Sequence, residues 1–289
     1  MSRVLTAFVL CLSIGHTAEP APQATIFTVI GAPGQKEYGE QFRTWADRWQ
    51  AAAQQAGLQC AYLPLAGRDA FSTEMLEGLE ALDLVAEYPQ TGSIVLQAAV
   101  DQPEQVIQLF EESLKHLRRL HSLVINAGIF PPHKVTGETN AWWGVWKKTL
   151  AVNLDAAGLL TKLGITHFRE TGGGRFIYIG SRAAFRGETE DFLAYAASKG
   201  GLTSLARSVA RSFGKDRITS FTIAPGFTRT AMAEPFIAAY GEETLLNEIS
   251  LPELTLPEDI SPLAAFICSG GMDHATGTVI DVNAGSYMH

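Results

Sequence analysis

The sequence predicts a single doubly wound α/β domain, with helices on both faces of a parallel sheet. Short apolar runs rich in β-branched residues alternate with stretches of helical length along most of the chain, which is typical of this class. A length of 289 residues suits one unit of this kind. A hydrophobic content of 46% with 18% charged residues is that of a globular protein with a sizeable core.

The net charge and the cysteines argue against several classes of partner. A formal net charge of −8 does not favour nucleic acid or an anionic membrane surface. The cysteines Cys11, Cys60 and Cys268 show neither metal-type spacing nor a disulfide framework. We therefore predict no metal centre, no nucleic-acid partner and no stable membrane span.

Residues 1–24 differ from the rest and are predicted to be a signal peptide and linker. One basic residue, Arg3, precedes an apolar run from Val4 to Gly15 that has signal-peptide length and is too short to cross a bilayer. The segment from His16 to Ala24 is small, polar and proline-containing, as a cleavage region would be. We predict an exported protein, periplasmic or secreted, whose domain spans residues 25–289. The alternative is a cytoplasmic protein with an apolar extension packed on that domain.

The first buried strand, Thr25 to Ile30, leads into a glycine-bearing turn and a helical stretch to about Ala56. This arrangement is a dinucleotide-binding opening, because glycines let the backbone approach a pyrophosphate at the helix N-terminus. Gly31, Gly34 and Gly39 are the candidate residues. The alternative is a degenerate turn that binds no phosphate.

The second strand, Leu58 to Ala66, ends beside Arg68 and Asp69. An arginine at this strand end can pair with the 2′-phosphate of NADP, whereas an acidic residue binds the ribose 2′-hydroxyl of NAD. A solvated loop side chain is the alternative interpretation of Arg68.

The rest of the chain continues the alternation of helices and strands. The predicted elements are a helix at Phe71–Tyr88, a strand at Ser93–Val100, a helix at Glu104–Arg119, a strand at Leu123–Gly128, a helix at Thr139–Glu170, a strand at Phe176–Gly180, a helix to Phe213, a strand at Ile218–Ile223, a helix from Pro257 and a last strand at Gly277–Val282. The segment from Phe227 to Leu256 lacks a clear period and is predicted to be a mobile substrate lid.

Two ionisable side chains, Tyr195 and Lys199, lie four residues apart, which places them on one face of a helix. A phenol loses its proton near a pH of about 10. An ammonium held close favours the phenolate, so Lys199 is expected to lower the pKa of Tyr195 toward the range of efficient acid–base catalysis. Ser181 follows a strand and is expected at the carboxyl edge of the sheet, where ligands bind. A surface Tyr–Lys pair is the alternative.

With Asn126-Ala127-Gly128, Asn153 and Pro225-Gly226, these residues resemble the motifs of the short-chain dehydrogenase/reductase family, from about Thr25 to the C-terminus. The resemblance implies a Rossmann-type domain and hydride transfer between NADP(H), or less favoured NAD(H), and a carbonyl or secondary alcohol. The implied catalytic residues are Asn153, Ser181, Tyr195 and Lys199. The implied cofactor-binding residues are Gly31, Gly34, Gly39, Arg68, Asp101, Asn126, Ala127, Gly128, Tyr195, Lys199, Pro225, Gly226, Thr228 and Thr230.

The resemblance also implies a role for each residue. Tyr195 is the general acid/base, Ser181 hydrogen-bonds the substrate oxygen, and Lys199 lowers the tyrosine pKa and holds the nicotinamide ribose. Asn153 anchors a water that links the lysine to solvent; a neutral buried asparagine is the alternative. Asp101 contacts the adenine edge, or is only the N-cap of the following helix.

Other positions bear on the cofactor and on whether the protein is an enzyme. Arg68 lies where NADP-preferring relatives carry arginine, and Thr230 lies where the family contacts the nicotinamide or pyrophosphate side of the cofactor. The common TGxxxGxG pattern is replaced by Ile30 and a GxxGxxxxG spacing. This departure leaves open a non-catalytic relative used for binding or assembly. The family acts on small molecules and commonly forms dimers or tetramers, so a homo-oligomer is expected.

Overall fold

The computed structural model describes the backbone of residues 9–12, 24–31 and 58–65, together with residues 96, 98–230, 233, 236–238 and 241–288. Its strands are β1 Val9–Leu12, β2 Ala24–Gly31, β3 Leu58–Leu65, β4 Ser122–Ile125, β5 Gly174–Ile179, β6 Ile218–Pro225 and β7 Val279–Val282. Its α-helices are α1 Pro103–Leu117, α2 Thr139–Leu150, α3 Ala156–Thr171, α4 Ala183–Arg186, α5 Leu193–Phe213, α6 Glu242–Leu246 and α7 Pro257–Cys268. Short 3₁₀ turns occupy Glu190–Phe192, Gly214–Asp216 and Asp273–Ala275.

The strands form one sheet in the order β3-β2-β1-β4-β5-β6-β7. Strands β4 to β7 are parallel neighbours, with Leu123 opposite Phe176 and Ile177 opposite Phe221. Strands β2 and β3 are also parallel. Apart from Ser93–Val100, each strand predicted from Thr25 onward is present within a few residues of its expected bounds.

Helices cover both faces of the sheet, as predicted for a doubly wound fold. Phe176 and Tyr178 of β5 belong to a core shared with α1, α3 and α5. Ile177 lies between them, is fully buried and points to the opposite face, because successive strand residues alternate. On that face α7 contacts β5 and β6.

Strand β1 departs from the prediction of a wholly parallel sheet. It lies antiparallel between β2 and β4, with Cys11 opposite Phe27 and Leu10 opposite Val124. The apolar core of a signal peptide and a short buried strand have the same composition, so the sequence alone does not separate them. Export stays a prediction.

The strand predicted at Ser93–Val100 is wrong for its described residues. Residues 96 and 98–100 lie in no strand, although Ala98, Ala99 and Val100 are buried. The Ala99 N–H donates to Oε1 of Gln105 at 2.7 Å, so this backbone group serves the turn into α1 instead of a strand ladder. The helix predicted at Phe71–Tyr88 lies outside the described residues.

The long helical region predicted between Thr139 and Glu170 is two helices joined by a π-helical turn. This turn spans Ala151–Asp155 and connects α2 to α3. Single π turns inside helices are rare and are frequent at functional sites. Asn153 lies in its centre.

Candidate active site

Three strands end side by side at the carboxyl edge of the sheet. Strand β4 is followed by Asn126-Ala127-Gly128, β5 by Gly180 and Ser181, and β6 ends at Pro225. Because these strands are parallel neighbours, the three segments meet at one edge. The structure thus brings together segments that lie far apart in the sequence.

Helix α5 carries Tyr195 and Lys199 to this edge. The Lys199 Nζ donates a hydrogen bond to the Ile179 carbonyl at 2.8 Å and lies 5.8 Å from the centre of the Tyr195 ring. The Ser181 side chain is near enough to the Tyr195 hydroxyl to lower the pKa of the tyrosine. The Ser181 Oγ also accepts the Ala183 N–H at 3.1 Å. Serine, tyrosine and lysine therefore form one contiguous group.

Burial determines the protonation of the tyrosine and the lysine. It raises the pKa of Tyr195 to about 12, while the Ser181 hydrogen bond acts in the opposite direction. It lowers the pKa of Lys199 to about 8. The net pKa of Tyr195 is raised and not lowered as the spacing to Lys199 predicted, because loss of water is the largest effect and disfavours the charged form of each side chain. At neutral pH, Tyr195 is a phenol that can donate a proton.

Asn153 makes three hydrogen bonds in the interior. Its Oδ1 accepts the Ile129 N–H at 2.8 Å, and its Nδ2 donates to the Ile129 carbonyl at 3.1 Å and to Ser198 Oγ at 3.0 Å. The Ser198 hydroxyl donates to the Tyr195 carbonyl at 2.7 Å. Asn153 therefore ties the segment after β4 to the helix that carries the tyrosine.

Gly128 lies directly against the lysine and the asparagine. A Cβ at this position would be 3.5 Å from Lys199 Nζ and 3.7 Å from Asn153 Oδ1. Ala127 is buried and Asn126 is partly exposed. The segment after β4 therefore packs closely beside Lys199.

A charged cluster beside Ser181 was missed by the sequence reasoning. Arg182 is 5% exposed, its Nη2 donates to Glu248 at 3.0 Å, and its Nη1 has no hydrogen-bond partner among the described residues. Burial raises the pKa of Glu188, and this carboxylate raises the pKa of Tyr195 whereas Arg182 lowers it. Glu248 belongs to the predicted lid, so Arg182 links the lid to Ser181. The only signal in the sequence is the density of charges that follows the serine.

A group of aromatic residues was also missed. Phe130 stacks on Phe192 with ring centres 3.9 Å apart, and it meets Tyr195 edge-on at 4.6 Å. The His133 Nε2 accepts the Ala194 N–H at 3.2 Å. Phe130 comes two residues after the glycine of the Asn126-Ala127-Gly128 segment, and this proximity is a signal that the sequence offered.

Most of the predicted phosphate-binding residues cannot be placed against this site. Gly31 is the last residue of β2. Gly34, Gly39 and Arg68 lie outside the described residues. Their contacts with a cofactor remain predictions.

Asp101 forms an ion pair with Lys148 of α2, and its side chain is 10% exposed. The N-cap of α1 is Gln102, so the alternative that Asp101 caps this helix is wrong. An adenine contact would have to share the carboxylate with Lys148.

Gly226, Thr228 and Thr230 open the predicted lid. A Cβ at Gly226 would lie 2.8 Å from the Cα of Asn283, so protein packing alone requires glycine here. The Thr228 hydroxyl donates to the Gly226 carbonyl at 3.3 Å, and Thr228 pairs with Thr255 in an isolated bridge. The Thr230 carbonyl accepts the N–H of residue 233.

Within the described part of the chain, no cluster of acidic, histidine or cysteine side chains is arranged to hold a metal ion. In the same residues, no helix combines the length and the apolar character needed to cross a membrane. The Cys268 thiol is buried, and burial raises its pKa.

The fold and the site together define a doubly wound α/β oxidoreductase of the dehydrogenase class. Residues 70–287 match the family described as enoyl-(acyl carrier protein) reductase. The chain belongs to the short-chain dehydrogenase/reductase family, as its motifs indicated, and it is an NAD(P)-dependent oxidoreductase that acts on carbonyl or alcohol groups of small molecules.

Several relatives show how far this similarity extends. The chain is 32% identical over 206 residues to the 3-oxoacyl-[acyl-carrier-protein] reductase FabG of Pseudomonas aeruginosa, covering 71% of this chain and 80% of the relative. It is 30% identical over 225 residues to the 2-dehydro-3-deoxy-D-gluconate 5-dehydrogenase of Bacillus subtilis, covering 76% and 85%. A crystal structure of a putative NAD(P)-dependent gluconate 5-dehydrogenase from Beutenbergia cavernae, with bound NADP at low occupancy, matches with a TM-score of 0.70, 25% identity, and coverage of 89% and 95%.

Proposed function

We propose that this protein uses NADP(H) to interconvert a carbonyl and a secondary alcohol, with Tyr195 as general acid/base. One observation carries this proposal: Lys199 is buried with its Nζ 5.8 Å from the centre of the Tyr195 ring, and Tyr195 is near enough to Ser181 for that side chain to lower its pKa. A bound nicotinamide supplies or accepts the hydride. The side chains of this chain handle the proton and the developing charge.

In the reductive direction, the Tyr195 phenol donates its proton to the carbonyl oxygen. Tyr195 holds its proton throughout the neutral range, and a positive charge near the phenol would bring its raised pKa closer to the range of efficient proton transfer. The Ser181 hydroxyl donates a hydrogen bond to the same oxygen and stabilises the developing alkoxide. Lys199 stabilises negative charge on Tyr195 after the proton has left.

The donors at the site fit a nicotinamide nucleotide. An ammonium has three donors, and within the described residues Lys199 Nζ donates one hydrogen bond, to Ile179. The remaining donors suit ribose hydroxyls. Arg68 supports NADP over NAD through its charge, and so does the NADP found in the Beutenbergia relative.

Calorimetric titration with NADPH and then NADH tests the cofactor. We expect NADPH to bind much more tightly, and Arg68→Ala to weaken NADPH far more than NADH. Equal losses for both nucleotides would contradict the role of Arg68. If neither nucleotide binds, the glycine turn has lost its function, and the non-catalytic binding or assembly role becomes the better explanation.

A Tyr195→Phe variant tests the chemistry. It removes the transferable proton, so turnover should fall by roughly a hundredfold or more while NADPH affinity is retained. A substrate screen begins with 3-oxoacyl thioesters and keto sugar acids, the classes named for two of the relatives. Full turnover by Tyr195→Phe would overturn the assignment.

We also propose export and self-association. The apolar run after Arg3 supports export. A fusion of residues 1–24 to a reporter that works only outside the cytoplasm should be active, and an inactive fusion would argue for the cytoplasm.

Trp143 on α2 is 49% exposed, which supports a homodimer or homotetramer. Light scattering that gave a monomer mass would exclude it.

A further inference from the structure

We propose that His133 is a positioning residue that fixes the start of α5 and therefore the place of Tyr195. The kinetic part of this proposal rests on the function proposed above, whereas its structural part does not. It starts from the capping of α5, the helix that carries both Tyr195 and Lys199.

The first turn of a helix leaves backbone N–H groups without partners inside the helix. Phe192, the N-cap of α5, provides no side-chain hydrogen bond to satisfy them. The Nε2 of His133 accepts one of these groups, the Ala194 N–H, at 3.2 Å. Ala194 directly precedes Tyr195, and His133 is 4% exposed. An imidazole from the loop after β4 thus replaces the missing cap.

The hydrogen bond also fixes the tautomer of the imidazole. Since Nε2 accepts a hydrogen bond, the ring proton is on Nδ1, which faces the Pro131 carbonyl at 3.5 Å. The backbone of the same residue is held as well, because the His133 N–H donates to the Asp191 carbonyl at 2.8 Å. His133 is therefore joined by its side chain and its backbone to the segment just before Tyr195.

The same loop contacts Tyr195 from a second direction through Phe130. That ring stacks on Phe192 and meets the tyrosine edge-on. Asn153 holds Ile129 at the other end of the loop. A displacement of the first turn of α5 would move the Tyr195 hydroxyl away from Ser181, and a misplaced group loses catalytic efficiency steeply with distance.

The chain contains a matched control in His167 of α3. Its Nε2 accepts the Leu120 N–H at 2.9 Å, and it is 7% exposed. It makes the same kind of bond as His133, but its aromatic neighbours are Phe110 and Phe168 of the core. The control therefore separates a lost buried hydrogen bond from a displaced tyrosine.

The experiment compares leucine and glutamine at both positions in the full chain. Leucine removes the acceptor at similar size, whereas the Gln oxygen reaches the place of Nε2 and restores it. Amide hydrogen exchange of the peptide that contains Ala194 and Tyr195 is measured first, because it needs no substrate. We expect His133→Leu to speed this exchange roughly tenfold or more, His133→Gln to stay near wild type, and His167→Leu to leave this peptide unchanged.

With a substrate in hand, His133→Leu should lower kcat roughly tenfold at unchanged KM and unchanged NADPH affinity, and His133→Gln should recover most of it. If His133→Leu does not fold, His133→Asn takes its place, because its shorter side chain does not reach Ala194. Unchanged exchange at Ala194 in a folded His133 variant would overturn the proposal. Equal effects of the two leucine variants on kcat would do so too. An inactive wild-type protein would sink the proposed function and leave the exchange result to decide the role of His133.

Discussion

Lys199 is a buried cation, and its removal should stabilise the fold at neutral pH. The residue is 4% exposed, and within the described part of the chain its ammonium donates a hydrogen bond to the Ile179 carbonyl. Burial lowers its pKa from 10.5 to about 8. Because the folded pKa is below the unfolded one, the unfolded chain binds the proton more tightly between these values, and stability rises with pH across this window.

The size of the effect follows from the shift. Near a pH of about 7 the buried charge costs about 3 kcal/mol, and near a pH of about 9.5 the remaining cost is about 1 kcal/mol. Lys199→Met removes this cost and keeps the length of the side chain. It also leaves the Ile179 carbonyl without its donor, which costs about 1–2 kcal/mol at every pH. The variant should therefore gain about 1–2 kcal/mol near neutrality and lose that advantage in the alkaline range.

Urea unfolding of wild type and Lys199→Met across this range measures the difference. The highest pH measured is about 9.5. It lies below the range in which Tyr195 lowers stability, because its pKa is raised to about 12 and the unfolded chain loses the phenol proton first. Lys162→Met is a matched control on the exposed surface of α3 and should show no pH-dependent difference. A difference between wild type and Lys199→Met that does not change with pH would refute the account of Lys199 as a desolvated cation.

Three further substitutions, one of them a control, test the packing beneath the site. Asn153→Ala leaves the buried N–H and carbonyl of Ile129 without partners, so it should destabilise the protein by about 2–4 kcal/mol in urea unfolding; a loss below about 1 kcal/mol would show that water replaces the amide. Gly164→Ala in α3 should destabilise the protein by about 1–3 kcal/mol, because the new Cβ would lie 2.7 Å from the Phe176 ring. Gly158→Ala in the same helix is the control: its Cβ would meet nothing within 4 Å, so it should stabilise the protein by about 0.5–1 kcal/mol. Equal effects of the two alanines would contradict the close approach of α3 to β5.

The order of strands and helices could be predicted because it depends on local sequence patterns. Apolar runs such as Phe176–Gly180 and the four-residue spacing of Tyr195 and Lys199 need no knowledge of distant residues. Strand β1 could not be predicted, because its local pattern of apolar residues is equally typical of a signal peptide and of a buried strand. The Ser93–Val100 prediction is wrong for its described residues because an apolar run without alternation does not distinguish a strand from a buried turn, and the Gln105 side chain accepts the Ala99 N–H.

The site was predictable where a motif fixes chemistry and unpredictable where contacts cross the fold. Ser181, Tyr195 and Lys199 carry their chemistry in their residue types. The bond from Ala194 to His133 joins residues 61 positions apart, and nothing local distinguishes this histidine from a surface one. The direction predicted for the pKa of Tyr195 was wrong for a related reason. Spacing gives the distance to Lys199 but not the extent to which both side chains are removed from water.

Burial raises the pKa of Tyr195 and lowers that of Lys199, and the two shifts have the same chemical consequence. Burial favours the neutral form of each, so the free protein holds a protonated phenol beside an ammonium that is easily deprotonated. Such a pair is ready to donate a proton to a carbonyl oxygen. It is poorly prepared to accept one from an alcohol, because the phenolate is disfavoured at neutral pH until further positive charge comes close. On the function proposed above, the free protein therefore starts with the proton placed for reduction, and Arg182, which lowers the pKa of Tyr195, offsets part of the effect of burial.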